Sequence, residues 1–353
     1  PLRVFGVPKK MLVEFRILGV PCSVTTSTTL SIVRALQESI SVPSRLILNG
    51  RAGCGKSFLL LQAAEYAAAT EEWFVFYVPR AQRFVDGSTP YAYSLRTRTY
   101  LQLRAARETL RRLGTANEHI LEHLYTTEPI TLESGEILPE GTPLLDVVDA
   151  GQEEEGELNA HVCLEALMAE MGRQTVFPVL IAIDDFQALA GRSLYRDPHG
   201  RFIRPHHLGL PRLLLEYASG RKKLARGCVL GALSRTDTQF PVTPQLSESL
   251  NLPFDFAPSP RMAGIGKYAE ADEEAEVVAD GEKKTVRALR AIRVPDALSI
   301  REAAALFEPV DNEVRVQEET GADDLFLGKY AESQGNARAF VWGGLIATLQ
   351  TSG

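Results

Sequence analysis

The residues with the plainest chemical meaning are Gly50-Arg51-Ala52-Gly53-Cys54-Gly55-Lys56-Ser57. They fit Gly-x-x-x-x-Gly-Lys-Ser without a mismatch, a spacing suited to a chain of phosphates. The glycines let backbone N–H groups turn inward around phosphate oxygens. A helix beginning at the lysine offers its positive end to the anion. Lys56 is expected to reach the β- and γ-phosphates, and Ser57 to place its hydroxyl on Mg²⁺. The same letters also arise as a glycine-rich turn with an accidental lysine. The apolar strand before the loop and the helix after it decide for phosphate.

A phosphate loop of this kind needs a carboxylate at the end of a neighbouring strand. Val179-Leu180-Ile181-Ala182-Ile183-Asp184-Asp185 is an apolar run ending in acids, the Walker B pattern. Asp184 is expected to hold Mg²⁺, directly or through water. Asp185 sits where many ATPases carry a glutamate that activates the attacking water. Aspartate is a methylene shorter, and a general base must lie within hydrogen-bond reach of its water. Asp185 therefore either serves as the catalytic base or leaves turnover slow or absent. Ser234, at the end of Cys228–Leu233, is either a sensor of the γ-phosphate or a cap on the strand. Arg338, in Gly335-Asn336-Ala337-Arg338, either reaches back to the phosphates from a lid or follows an Asn336 that is simply a helix N-cap.

The positioning elements follow from periodicity. Arg45–Asn49, Trp73–Val78, Pro178–Ile183 and Cys228–Leu233 read as strands, their unbroken apolar character pointing to burial on both faces of a parallel sheet. Lys56–Ala69, Leu158–Met171 and Leu210–Ala218 read as its helices, and Thr97–Leu113 and Ala116–Leu124 as two more. The fold class is thus α/β, a parallel sheet flanked by helices, with a small C-terminal, mostly helical subdomain. Residues 1–44 form an N-terminal extension packed on the core. Within it Val13-Glu14-Phe15 and Ile17-Leu18 look extended, and Thr28–Ile40 helical with Thr28 as N-cap. Residues 45–260 form the P-loop domain. Residues 261–353 form the lid subdomain, with Leu289–Val294 a strand, Ser299–Phe307 and Ala337–Leu349 helices, and an acidic insertion at 270–284.

The chain has 353 residues, 45% of them hydrophobic, and a net charge of -7. A free-standing nucleic-acid binder is usually basic, so contact with RNA is expected only locally. The candidates are Arg104-Arg107-Arg111-Arg112, the loop 191–207, and Arg221-Lys222-Lys223-Arg226; each equally suits the balancing of a nearby acidic surface. The four cysteines lack zinc or disulfide spacing. His119 and His123 share a helix face without a third ligand, and read as solvent-facing. No apolar run is long enough to span a membrane. The sequence starts at Pro1, which suits either a removed leader or residues ahead of it.

Several of these stretches together resemble one family. Leu46–Ser57, Trp73–Pro79, Thr142–Val148, Val179–Leu189 with Gly191-Arg192, and Ala232-Leu233-Ser234-Arg235-Thr236 are similar, in order, to the mitochondrial small-subunit ribosomal proteins of the death-associated protein 3 family. The resemblance implies an AAA-like domain with a helical lid. It implies a bound nucleotide, GTP/GDP or ATP/ADP, with Mg²⁺. It further implies a place in the mitochondrial matrix, in the head of the ribosomal small subunit. There the partners would be other small-subunit proteins, large-subunit proteins across inter-subunit bridges, and limited stretches of small-subunit rRNA. The family pattern often lacks a carboxylate at the position of Asp185, which this chain has. Base selection is expected from residues between about 20 and 45, there being no Asn-Lys-x-Asp guanine motif. The alternative is an active AAA-type ATPase that remodels partners outside the ribosome.

Overall fold

The computed structural model describes residues 2–17, 23–70, 72–153, 159–252, 275–279, 282–286, 289–313 and 319–346. At its centre is a five-stranded sheet. Its strands are β1 (Ser44–Asn49), β2 (Phe74–Val78), β3 (Val179–Ile183), β4 (Gly227–Ala232) and β5 (Arg290–Arg293). The order across the sheet is β5-β1-β4-β3-β2, and every pair is parallel. Each residue of β2, β3 and β4 is buried, as expected of strands covered on both faces. β1 and β2 are parallel as their βαβ connection requires, with β4 and β3 between them. β5 comes from the segment assigned by sequence to the lid, yet it closes the edge beside β1.

The main helices are α1 (Ser27–Ser39), α2 (Lys56–Ala69), α3 (Leu103–Leu121), α4 (Leu144–Ala150), α5 (Asn159–Arg173), α6 (Gly209–Ser219), α7 (Ile300–Glu313) and α8 (Glu319–Ser333). A second, smaller core gathers Ala303, Phe326 and Phe340 in the C-terminal part, with Phe307 and Tyr330 packed on it.

Several local expectations are corrected. Val13–Phe15 and Ile17 are helical, within Lys9–Ile17; Leu18 lies outside the described residues. Met11 and Glu14 turn inward while Val13 is 40% exposed, so the alternation that suggested a strand was the edge of a helical face. The cap of α1 is Thr26, not Thr28. Its hydroxyl accepts from the Thr29 N–H, and the Thr29 hydroxyl accepts from the Thr26 N–H. The two helices expected between Thr97 and Leu124 are one, α3, broken at Asn117. The Asn117 amide pairs with both the N–H and the carbonyl of Val75, continuing the sheet beyond its β2 edge. Residues before α3 form a hairpin, Ala92–Ser94 with Thr99–Leu101. The loop expected at 126–143 holds a two-stranded pair, Ile130–Thr131 with Ile137–Leu138. The last helix is three α-helical residues, Ala337–Ala339, followed by π-helical Phe340–Ile346; 347–349 lie outside the described residues. Of the insertion at 270–284, an antiparallel pair, Ala275–Ala279 with Glu282–Val286, is described.

Candidate functional site

β1 ends at Asn49 and α2 begins at Lys56, so the Gly-rich loop occupies the carboxyl end of a parallel sheet, the usual place for ligands in such folds. The first N–H groups of α2 have no intrahelical acceptor and are available to an anion. Gly53 adopts φ +80° and Gly55 φ +93°, left-handed values that side chains rarely take. A Cβ on Gly53 would also lie 2.5 Å from Asn336 Oδ1, so this glycine is demanded twice, by backbone and by neighbour.

Lys56 is buried, and its Nζ donates to the carbonyls of Gly50 at 2.9 Å and Arg51 at 2.8 Å. Burial lowers its pKa. A phosphate would offer this ammonium stronger, charged acceptors than two carbonyls. Ser57 hydrogen-bonds to the Asp184 carboxylate. Asp184 is fully enclosed at the end of β3, its N–H donating to the Val78 carbonyl at 2.9 Å. Asp185 follows at φ +55°, and its N–H donates to Asp184 Oδ1 at 3.0 Å. Aspartate is among the few residues that tolerate this conformation, and such strain gathers at functional sites. Burial pushes both carboxyls above the usual range, and each has a carboxylate neighbour that adds to the rise, Asp185 for Asp184 and Asp237 for Asp185.

Loop, acids and lid line one cavity of about 470 Å³. Ser234 reaches it, with its N–H held by the buried Gln187 at 2.9 Å and its hydroxyl 3.3 Å from that of Thr236. Arg338 reaches it too, and its backbone N–H donates to the Gly53 carbonyl at 3.0 Å. Asn336 is the N-cap weighed in sequence and has a second contact that was not expected. Its Oδ1 caps Ala339 at 3.2 Å, and its Nδ2 donates to the Ala52 carbonyl at 3.0 Å, fastening the lid to the loop. All twelve candidate residues, Gly50–Ser57, Asp184, Asp185, Ser234 and Arg338, thus come together at one end of the sheet.

Other residues escaped the sequence reading. Arg80, after β2, lies close enough to lower the Asp185 pKa. Arg235 donates to Asn49 Oδ1 at 3.0 Å from beside the lysine. Both sit at carboxyl ends of strands, a signal that strand order alone would have supplied. The same cavity is also lined by Ser23, Val24 and Thr26–Thr28, within the interval expected to select the base, and by Met11, Glu14 and Phe15. Their contribution was hidden by the misread first segment. Trp342 Nε1 donates to the Glu14 carboxylate, joining this wall to the lid. His119 and His123 are solvent-exposed, as expected.

Among the described residues no group of three or more His, Cys, Asp or Glu side chains is placed to hold a metal by itself. No helix is long and apolar enough to cross a membrane, again among the described residues. A family model described as mitochondrial ribosomal death-associated protein 3 matches residues 23–342, a span that includes every candidate residue. Three relatives are each named small ribosomal subunit protein mS29. That of Neurospora crassa is 30% identical over 195 residues, covering 54% of this chain and 40% of the relative. That of Schizosaccharomyces pombe is 27% identical over 240 residues, covering 66% and 50%. That of Mus musculus is 24% identical over 241 residues, covering 67% and 60%. The matches thus span about half the length of these curated relatives. With a family model covering nearly the whole described chain, the protein belongs to the mitochondrial ribosomal death-associated protein 3 family.

Proposed function

We propose that this chain is a component of the mitochondrial ribosomal small subunit, acting in the matrix, and that it holds a purine nucleotide with Mg²⁺ in an AAA-like P-loop site. The nucleotide is GTP/GDP or ATP/ADP. The observation that carries the reading is the contact of the Ser57 hydroxyl with the enclosed Asp184 carboxylate, beside Lys56 and beneath the lid. The residues fit the group. Mg²⁺ in phosphate sites is held by one or two protein oxygens, the rest coming from phosphate and water. Ser57 and Asp184 are two such oxygens, and an isolated three-ligand cage is not required. When bound, the metal would neutralise phosphate charge and draw Asp184 into its ionised form.

The chain's own residues divide the remaining work. The loop N–H groups and Lys56 grip the phosphates. Ser234, Arg235 and Arg338 face the same cavity from the sheet end and the lid. Asp185 has an arm one methylene shorter than the glutamate many ATPases carry there, and a general base must lie within hydrogen-bond reach of its water. Slow or absent turnover follows. The nucleotide then serves the assembly by stabilising the fold and seating the lid. Its partners would be neighbouring small-subunit proteins, large-subunit proteins across bridges, and short stretches of rRNA. The relatives' shared name supports this placement.

The test is sedimentation of the native protein from mitochondrial extract, with mass spectrometry of any nucleotide it carries. Co-migration with the small subunit and a stoichiometric purine nucleotide, lost in Lys56→Ala, are expected. A free hexamer that turns over ATP would replace this reading with the remodelling ATPase.

A further inference from the structure

A second cavity, of about 1030 Å³, lies between the N-terminal segment, the loop after β2 and the first half of α3. Its cations are Lys9, Arg80, Arg83, Arg104 and Arg107, together with Arg111 and Arg112. Against them stands one lining carboxylate, Glu108, and it is already shared by Arg111 at 2.9 Å and Arg112 at 2.7 Å. Arg83, Arg104 and Arg107 have no ion pair or side-chain hydrogen bond among the described residues. In a chain of net charge -7 such a concentration is local, not a reflection of general basicity. Phe5 and Phe76 lie buried behind the cavity and Phe84 is half-buried, while Tyr77 brings a buried hydroxyl with no partner among the described residues.

Most cations of the other basic stretches are engaged by the protein itself. In the 191–207 loop, Arg192 and Arg196 stack over Phe202 at 4.7 and 4.1 Å, and Arg201 pairs with Asp197 at 2.9 Å. Lys222 pairs with Glu216 at 3.1 Å, and Arg226 donates to the carbonyls of Thr175 and Val176.

We propose that the cavity between the N-terminal segment and α3 binds single-stranded RNA, its free arginines taking backbone phosphates; this rests on the ribosomal placement above. The ribosomal placement favours RNA over an acidic peptide, and two features suit a phosphate backbone. Six of the seven cations are arginines, whose planar forks match phosphate in two-point contact. Their spacing along one helix face and an adjoining loop follows an extended backbone. Lys9 and Arg80 line this cavity and the nucleotide cavity alike, so RNA and nucleotide would meet across a shared wall.

The test uses the full chain and a fluorescein-labelled ten-nucleotide uridine RNA, titrated by fluorescence anisotropy from low to moderate KCl. Arg83, Arg104 and Arg107 are changed together to Ala, leaving the shared residues Lys9 and Arg80 in place. Each phosphate contact contributes about -0.7 to the slope of log affinity against log salt, so the variant should flatten that slope by about 2 and weaken binding more than about tenfold. A control carrying Arg192→Ala, Arg201→Ala and Lys222→Ala should keep the slope. If the triple change disturbs folding, as circular dichroism would show, Arg104→Gln alone should flatten the slope by about 0.7. An unchanged slope in the folded variant overturns the proposal, as does a polyglutamate peptide that binds as tightly as the RNA. Both variants should bind Mg-nucleotide as the parent does and sediment with the small subunit if the wider reading holds. Loss of RNA binding here and failure of ribosomal placement are thus read separately.

Discussion

The sheet body and the C-terminal helical body meet the same loop in different ways. The sheet body supplies Lys56, Ser57 and Asp184 from strands and a helix whose apolar residues are almost wholly enclosed. Among the described residues the C-terminal body gathers a small buried cluster of Ala303, Phe326 and Phe340, and touches the loop through the Arg338 N–H and the Asn336 amide. Loop shape is therefore a property of the sheet, while coverage of the loop hangs on a few polar bonds worth about 1 kcal/mol each. Parts with little buried apolar contact open at lower free energy, so the lid is where a ligand can act. The chain has two tryptophans, and they fall one in each region: Trp73 at the start of β2 and Trp342 in the lid. Variants keeping one tryptophan can follow each body separately.

The largest effect should come from the middle of the sheet. Ile181→Ala removes a fully buried branched side chain from β3 and should cost about 4 kcal/mol. Denaturant unfolding should shift in both tryptophan signals together, because the lid has no firm seat without the sheet. If the Trp342 transition stayed in place while Trp73 moved, the dependence of lid on sheet would be wrong. Phe326→Ala should come next, at about 3 kcal/mol, since Phe326 meets Phe307 and Phe340 edge-on in a small cluster. Here the Trp342 signal should shift alone. A matched shift at Trp73 would show that the two bodies unfold as one.

Ligand should act in the opposite direction. At about a hundredfold excess over its Kd, Mg-nucleotide should add about 2.7 kcal/mol to the Trp342 transition. The same site sets a pH dependence. Asp184 is raised from 3.8 to about 7, and Asp185 is raised with it. Between pH about 4 and about 7 these two carboxyls hold more protons folded than unfolded, so ligand-free stability should fall as pH rises through that window in a His206→Gln, His207→Gln background, which removes two histidines of lowered pKa that act in the opposite sense. Mg²⁺ on Asp184 favours the carboxylate, so the stabilisation from Mg-nucleotide should grow over the same window. Thermal unfolding at several pH values, with and without Mg-nucleotide, measures both; a ligand-free stability that climbs from pH 4 to 7 in that background would exclude the buried, protonated pair.

The two bodies also differed in how much of them the sequence disclosed. Four of the five central strands were legible because strands buried on both faces are continuous apolar runs, and the loop and Asp184 were found because both stand at strand ends in a recognisable spacing. β5 was found as a strand but not as part of the sheet, since its partner β1 lies far away in sequence and pairing leaves no local mark. The helix Lys9–Ile17 read as extended because Val13 and Phe15 alternate with polar residues over too short a window. Arg80 and the cavity beside α3 were invisible for a similar reason. Their meaning depends on which segments the fold brings together: Arg104-Arg107-Arg111-Arg112 was legible as a basic cluster, but Arg83 is unremarkable until it shares a wall with them.

The finest test of the two-body picture is Asn336→Ala. The side chain caps the helix that begins at Ala337 and also donates to the Ala52 carbonyl. Losing a cap costs about 1 kcal/mol, and the lost bond to the loop is of similar size but partly replaced by water. If the lid is held mainly by these bonds, the variant should lower the Trp342 transition by about 1 kcal/mol, leave Trp73 unmoved, and speed cleavage by trypsin near Arg338. Mg-nucleotide should restore part of the loss by giving the lid a second contact through the ligand. Gly53→Ala sharpens the point, because it strains the loop and presses on Asn336 from the other side. It should weaken ligand binding as well as lid docking. A variant at Asn336 that instead weakened ligand binding as much as Gly53→Ala would mean that the lid shapes the loop, and that coverage and grip are a single property of this site.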